Sequence, residues 1–362
     1  MKIIQLISCL LLTFFVKEQQ RILMSSVGHT SNVTTAMFSP DGKKIVTASW
    51  DKTAKIWDAA TGVLFADLKG HTREVVTASF SPDGKKILTS SFDNTAKIWD
   101  AATGVLLADL KGHTSYVRAA SFSPDGKKII TASWDKTAKI WDAVTGILLA
   151  DLNGHTGWIE AASFSPDGKK IVTASNDNTA KIWDAATGVL LANLKRHNYY
   201  VNTASFSPDG KKIVTSSFDN TAKIWNAANG ALMANLKGHT GLINAASFSP
   251  DGKKIVTSSF DNTAKIWDVT TKVLLADLKG HTNGIKAASF NLDGKKIVTA
   301  SWDGTAKIWD AATGVLLADL KGHTNGVNTA SFSPDGKKII TASGDNTAKI
   351  WDAATGVLLA SL

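Results

Sequence analysis

The side chains that suggest chemistry recur together along this chain. Histidine occurs at His29, His71, His113, His155, His197, His239, His281 and His323, every step being 42 residues, and there are no others. In the unit Gly70–Lys111, GHTREVVTASFSPDGKKILTSSFDNTAKIWDAATGVLLADLK, His71 is followed by Ser91-x-Asp93 and then by Trp99-Asp100. Serine, histidine and aspartate in one unit could form a nucleophilic hydrolysis triad. The copy number argues against it, because a hydrolase needs one such site and not eight. Tryptophan keeps the same step at Trp57, Trp99, Trp141, Trp183, Trp225, Trp267, Trp309 and Trp351, so the pattern belongs to the architecture.

An internal period of this size means stacked units, none of which can bury its apolar face alone. Within Gly70–Lys111, four short runs alternate apolar and polar residues, as half-buried strands do. They are Val75–Phe80, Lys86–Ser91, Thr95–Trp99 and Val105–Leu110. Pro82-Asp83-Gly84, Asp93-Asn94 and Thr103-Gly104 separate them, residues that favour the bent and left-handed backbone of turns. No window shows a helical period. The expectation is an all-β chain of four-stranded antiparallel meanders.

The Gly-His opening, the Ser-x-Asp turn and the Trp-Asp close resemble the WD-repeat β-propeller family over Gly28–Leu362. The resemblance implies four-stranded blades arranged radially around a channel, closing as a ring. Eight openings and eight closings predict eight blades, with seven, commoner in the family, as the alternative. It also implies a structural role for the constellation: His71, Asp93, Trp99 and a strand hydroxyl, Thr89 in preference to Ser91, hydrogen-bond across the blade. Every histidine is then engaged, and none is left for catalysis or a metal. No enzyme activity and no cofactor are expected.

The period runs without a linker, so 21–362 reads as one domain of eight 42-residue repeats starting at Gly28. Cys9 is the single cysteine and lies outside the repeats, which excludes a disulfide or a Cys-based zinc site within one chain. Residues 1–20 differ: Lys2, a mostly apolar Ile3–Val16, then Lys17-Glu18-Gln19-Gln20. This resembles a secretory signal or anchor and is too short for an ordinary spanning helix. Leu6-Ile7-Ser8-Cys9 resembles a bacterial lipoprotein box, although the apolar run continues past the cysteine and no small-x-small cleavage site follows. An exported protein, periplasmic or secreted, is expected if this is a signal, and a cytoplasmic one if it is an annexed N-terminus. Both Arg21–Ser26 and Val357–Leu362 align with the fourth strand of a unit, and the C-terminal copy fits better as the closing strand.

Several copies depart from the pattern. Arg196 replaces the glycine before His197, Asn226 the aspartate after Trp225, Leu292 a turn proline, and Thr271-Lys272 a Thr-Gly turn, each putting local loop shape in question. The net charge of +9 raises nucleic acid as a partner. In the first blade, however, lysines and aspartates cancel. The excess comes from substitutions such as Asn193, Asn226 and Asn235, scattered along the sequence, so no basic stripe is expected.

In such a meander, alternate turns lie on opposite faces. The Pro-Asp-Gly-Lys-Lys and Thr-Gly turns share the face that hardly varies. The Gly-His loops and Ser-x-Asp turns share the other, where the copies differ. Five residues after each histidine stand Thr34, Val76, Arg118, Glu160, Asn202, Asn244, Lys286 and Asn328, and before each turn aspartate Trp50, Phe92, Trp134, Asn176, Phe218, Phe260, Trp302 and Gly344. In related propellers these positions contact bound peptides. The expected partner site is therefore Trp50, Phe92, Trp134, Phe218, Phe260 and Trp302, with Arg118, Glu160, Lys286 and the neighbouring Trp158; the other interpretation of the aromatics is rim packing. Blades four and eight lack an aromatic before the aspartate, so two aromatic arcs would flank a gap across the mouth. Six exposed aromatics exceed what a solitary soluble protein usually shows. They fit a monomeric scaffold that binds a protein or peptide, with no nucleic-acid partner and membrane contact only through the N-terminal segment. The alternative is a lectin-like, carbohydrate-binding propeller.

Overall fold

In a computed structural model, the structure describes residues 28–362. They form eight four-stranded antiparallel sheets, each taken from consecutive strands, so the propeller has eight blades rather than seven. Blade one comprises Val33–Phe38, Lys44–Ser49, Thr53–Asp58 and Leu64–Lys69. Blade eight comprises Val327–Phe332, Lys338–Ser343, Ala348–Asp352 and Leu358–Ser361, so the C-terminal copy supplies its fourth strand. The leader 1–20 and Arg21–Ser26 lie outside the described residues.

Blade two shows how local chemistry sets the strand limits. Its strands are Val75–Phe80, Lys86–Ser91, Ala96–Asp100 and Leu106–Leu110. The third begins one residue later than the alternation suggests because Thr95 belongs to the turn, where its N–H and hydroxyl donate to Asp93 Oδ1 at 3.0 and 2.7 Å. The turn before the fourth strand is held by Asp100, whose Oδ1 accepts from Ala102 N, Thr103 N and Thr103 Oγ1 at 2.8–3.0 Å. Gly104 adopts φ 74° there, and an added Cβ would come 2.9 Å from Ala66 Cβ of blade one. Glycine thus supplies both the left-handed backbone and the close approach of neighbouring blades.

The departures from the repeat leave these turns intact. Lys272 takes up φ 65° at the glycine position. Asn226 Oδ1 accepts from Ala228 N and Asn229 N at 2.8 and 3.2 Å, as the aspartate does elsewhere. Beside Leu292, Gly294 keeps φ 71°, and Asn291 Oδ1 accepts from Lys296 N at 2.9 Å in place of a serine hydroxyl.

The core lies in the seams between blades. Val46, Ala48, Ile56 and Leu68 of blade one pack against Val75, Ile87 and Trp99 of blade two. The closing seam is built alike, Val33, Ile45 and Trp57 meeting Ile340, Ile350 and Leu362. Trp99 is 2% exposed. A buried tryptophan of this kind is worth about 3–5 kcal/mol against its truncation to alanine. The blades are also stitched on the invariant face. Lys44 Nζ donates to Ala101 O of the next blade at 2.6 Å, and six further lysines repeat this at 2.6–2.9 Å. The last of these, Lys338 to Ala59 O at 2.8 Å, joins blade eight to blade one.

Candidate functional site

Each blade carries one buried polar relay. In blade two, His71 Nδ1 lies 2.7 Å from Asp93 Oδ2 and Nε2 lies 2.8 Å from Thr89 Oγ1, which also accepts from Trp99 Nε1 at 2.9 Å. The carboxylate can only accept, which assigns the proton to Nδ1. Thr89 then donates its hydroxyl to the bare Nε2. The strand hydroxyl is Thr89, while Ser91 Oγ instead donates to Arg73 O and accepts from Asp93 N. Burial would raise Asp93, but hydrogen bonds from His71 and Thr95 together outweigh it and hold its carboxyl well below the usual carboxylate range. Burial pushes the imidazoles of His155, His197 and His281 down against the pull of their aspartates. The same bonds recur from His29–Asp51–Thr47–Trp57 to His323–Asp345–Thr341–Trp351. All of these acidic, basic and hydroxyl groups are occupied by one another, so the constellation locks loops.

The variable residues five places after each histidine share a backbone feature. In every blade the pairing of the first and second strands slips there: Val75 faces Ser91 and Thr77 faces Ser90, leaving Val76 without a cross-strand partner. The same bulge falls at Thr34, Arg118, Glu160, Asn202, Asn244, Lys286 and Asn328. A bulge bends the strand and re-aims the extra side chain. Most of these side chains tie blades together around the channel. Thr34 Oγ1 donates to Val75 O at 3.2 Å, Asn244 Nδ2 to Ile285 O at 2.8 Å, and Asn328 Nδ2 to Val33 O at 2.9 Å. Arg118 Nε pairs with Glu160 Oε2 at 3.2 Å, and Asn176 Nδ2 donates to Glu160 Oε1 at 3.2 Å. Arg118 of blade three and Glu160 of blade four are therefore engaged with each other. Among the described residues, no carboxylate lies within ion-pair distance of Lys286, whose ammonium sits 5.3 Å from the Trp302 ring centroid. Burial pushes Lys286 down, Arg118 adds to this, and Glu160 opposes it, so the three charges share the channel mouth.

The aromatics form two ladders. Phe92 stacks on Tyr116 at 4.6 Å, Tyr116 meets Trp134 at 5.3 Å, and Trp134 stacks on Trp158 at 4.5 Å. Tyr199, Tyr200, Phe218, Phe260 and Trp302 follow one another at 4.4–6.5 Å across blades five to seven. The second expected arc exists, but the first runs from blade two onto blade four through Trp158 and leaves out Trp50 of blade one. The expected uniform exposure does not hold: Trp50 and Trp302 are 47% and 41% exposed, whereas Phe92, Trp134, Phe218 and Phe260 are half-buried by their neighbours. Rim packing thus accounts for part of each ladder. Beside the first ladder opens a cavity of about 330 Å³ lined by Trp50, Phe92, Trp134, Arg118, Lys286 and Asn328.

The WD domain, G-beta repeat, family matches at residues 20–58, 62–100, 104–142, 146–184, 188–226, 230–268, 272–310 and 314–352. The chain belongs to the WD40 repeat family. From the second match on, each starts at the turn before the fourth strand of one blade and ends just after the tryptophan of the next, so the family unit straddles a seam. The crystal structure of a computationally designed protein, Ika8, is similar, with a TM-score of 0.81 and 32% identity over 90% of this chain and 97% of that one. WD40 propellers are typically non-catalytic, and the fold commonly binds proteins.

Two features of this WD40 ring were not apparent in the sequence. Arg73 donates from Nη1 to the Tyr116 hydroxyl at 3.0 Å and lies 4.7 Å over that ring, capping the first ladder. Its signal was an arginine in a loop position that carries serine, glycine, asparagine or tyrosine elsewhere. The fourth strands also present an apolar belt at the circumference, with Phe65, Val105 and Leu107 all at least half exposed and repeated in kind around the ring. Val105–Leu110 thus departs from the expected alternation: Val105-Leu106-Leu107 are three apolar residues in succession, and that was the belt's signal.

Proposed function

We propose that this WD40 propeller is a non-catalytic, monomeric scaffold that binds a peptide or protein segment over the face of the Gly-His loops and Ser-x-Asp turns, without a cofactor. The observation that supports it is the gathering of Trp50, Phe92 and Trp134 around one cavity that also holds Lys286 without a partner carboxylate. Aromatic anchors beside a cation match the residues that dominate protein interfaces. The unpaired charge favours a segment that brings an acidic or carbonyl group to Lys286.

A lectin-like role is favoured by one observation: Trp50 is 47% exposed and stacks on no other ring, leaving a face open to a sugar. The ladder rings, by contrast, already use their faces on one another. Peptide and glycan arrays probed with the intact protein separate the two. Trp302→Ala removes the exposed end of the second ladder that lies beside Lys286 and is expected to change stability by no more than about 1 kcal/mol. It should weaken peptide binding by about 2 kcal/mol, roughly thirtyfold. Capture of glycans but no peptides, or unchanged peptide affinity in both Trp302→Ala and Lys286→Ala, would overturn the proposal.

A further inference from the structure

The circumference carries a second pattern with one break in it. In blades one, two, six and seven, a fourth-strand aspartate bridges a buried lysine and an exposed one. Asp109, for example, lies 2.8 Å from Lys97 and 3.2 Å from Lys111; Asp67, Asp277 and Asp319 do the same. In blade three, Asp151 pairs with Lys139. Three blades have lost the carboxylate. In blade five, Lys223 donates instead to Asn235 Oδ1 at 3.0 Å, and in blade eight Lys349 donates to Ser361 Oγ at 3.0 Å.

Blade four is different. Asn193 stands opposite Lys181 in the pairing of the third strand, Ala180–Asp184, with the fourth, Leu190–Leu194. Lys181 is only 4% exposed, yet among the described residues it makes no ion pair and no side-chain hydrogen bond. The buried Oδ1 of Asn193 has no partner either. A buried ammonium without a counter-charge is costly. Burial pushes Lys181 down against the pull of Asp177, and the charge of Lys195 adds a smaller push in the same direction. At the next position Arg196 replaces the glycine that precedes every other histidine, which adds a third cation. Asn193, Lys195 and Arg196 line an open groove of about 650 Å³ with Trp225, Gly230, Ala231 and Leu232 of blade five, and none of these is acidic. Asn193, Asn226 and Asn235, far apart in sequence, fall on these two adjacent blades, which carry a net +3 of the chain's +9.

We propose that the groove between the outer edges of blades four and five binds a phosphate-type oxyanion, held by Arg196 and Lys195 beside Asn193, where other blades place a carboxylate. The guanidinium fork of Arg196 and the ammonium of Lys195 match the charge of such an anion. A free anion and a phosphoryl group carried on a larger ligand share this chemistry.

Isothermal titration of the intact protein with inorganic phosphate, and separately with N-acetyl-O-phosphoserine, tests it at low ionic strength. Saturable binding of either is expected, with tighter binding of the second marking a carried phosphoryl group. Asn193→Asp and Arg196→Gly install the residues that other blades hold at these places, so both variants should fold, as their unfolding midpoints would verify. Each should weaken binding by about tenfold or more. Phosphate should raise the unfolding midpoint of the natural protein and leave that of Asn193→Asp unmoved. Asp109→Asn, which removes the bridging carboxylate of blade two beside Gly112, serves as a comparison and should not create a site of equal affinity. No saturable binding of either probe, or binding that both variants retain, would overturn the proposal.

Discussion

Thr89→Val tests the relay most directly, because valine has nearly the shape of threonine and lacks only the hydroxyl. The relay gives that oxygen two duties, accepting from Trp99 Nε1 at 2.9 Å and donating to His71 Nε2 at 2.8 Å. Both partners are buried, His71 at 7% exposure and Trp99 at 2%, so water cannot replace the lost contacts. Leaving a buried donor or acceptor unsatisfied costs about 1–3 kcal/mol, so the double loss should amount to about 2–6 kcal/mol. That is a large share of the roughly 5–15 kcal/mol that holds a typical domain folded. Thr89→Ser keeps the hydroxyl and loses one methyl, for about 1 kcal/mol. Equilibrium guanidinium unfolding near neutral pH, followed by tryptophan fluorescence, measures both. Thr173→Val should match Thr89→Val, since the distances in blade four are the same within 0.1 Å. If Thr89→Val lies within about 0.5 kcal/mol of the natural protein, or if serine costs as much as valine, the hydroxyl is not the hinge of the relay and the argument fails.

The relays also predict an acid response: the lowered Asp93-type carboxyls and the lowered imidazoles of His155, His197 and His281 all bind protons more readily in the unfolded chain. Stability should therefore be fullest at neutral pH, fall as pH drops below about 6.5 through the histidines, and fall further below about 4 through the aspartates; a urea midpoint that rises on acidification to about pH 5 would contradict this. Lys338→Met removes the bond to Ala59 O that joins blade eight to blade one and should cost about 1 kcal/mol. Lys212→Met should cost almost nothing, because among the described residues Lys212 alone of the eight makes no such bond, its acceptor position being Val269; equal costs in the two unfolding curves would show that the lysines act only through general charge.

The blade was legible in the sequence because its signals are local: a proline-glycine turn, an aspartate that caps its own loop, and a period of two between them. The relay was legible only through its repetition, and the choice of Thr89 over Ser91 came from family resemblance. What remained hidden depends on contacts between repeats. Lys44 finds its acceptor in Ala101, 57 residues away on the next blade, so a lysine that looks like surface charge is a rivet. Arg118 and Glu160 sit one repeat apart and meet only because adjacent bulges aim them together. Trp134 looked exposed as the residue before a turn, but Tyr116 and Trp158 come from loops whose reach a linear pattern does not give.

The bulge gives a physical reason why the copies differ where they do. Thr47, Thr89, Thr131, Thr173, Thr215, Thr257, Thr299 and Thr341 are all threonine, and each answers to both a histidine and a tryptophan, so a change there strands two buried groups. A bulged residue answers to no cross-strand partner. Threonine, valine, arginine, glutamate, asparagine and lysine can occupy it in turn without shifting the register of the pairing on either side. The ring can therefore be eightfold in its seams and irregular in its mouth. That separation lets a nearly repetitive chain present one non-repeating surface, and it predicts that exchanging the bulge residues of two blades would rearrange the mouth while leaving the seams as they are.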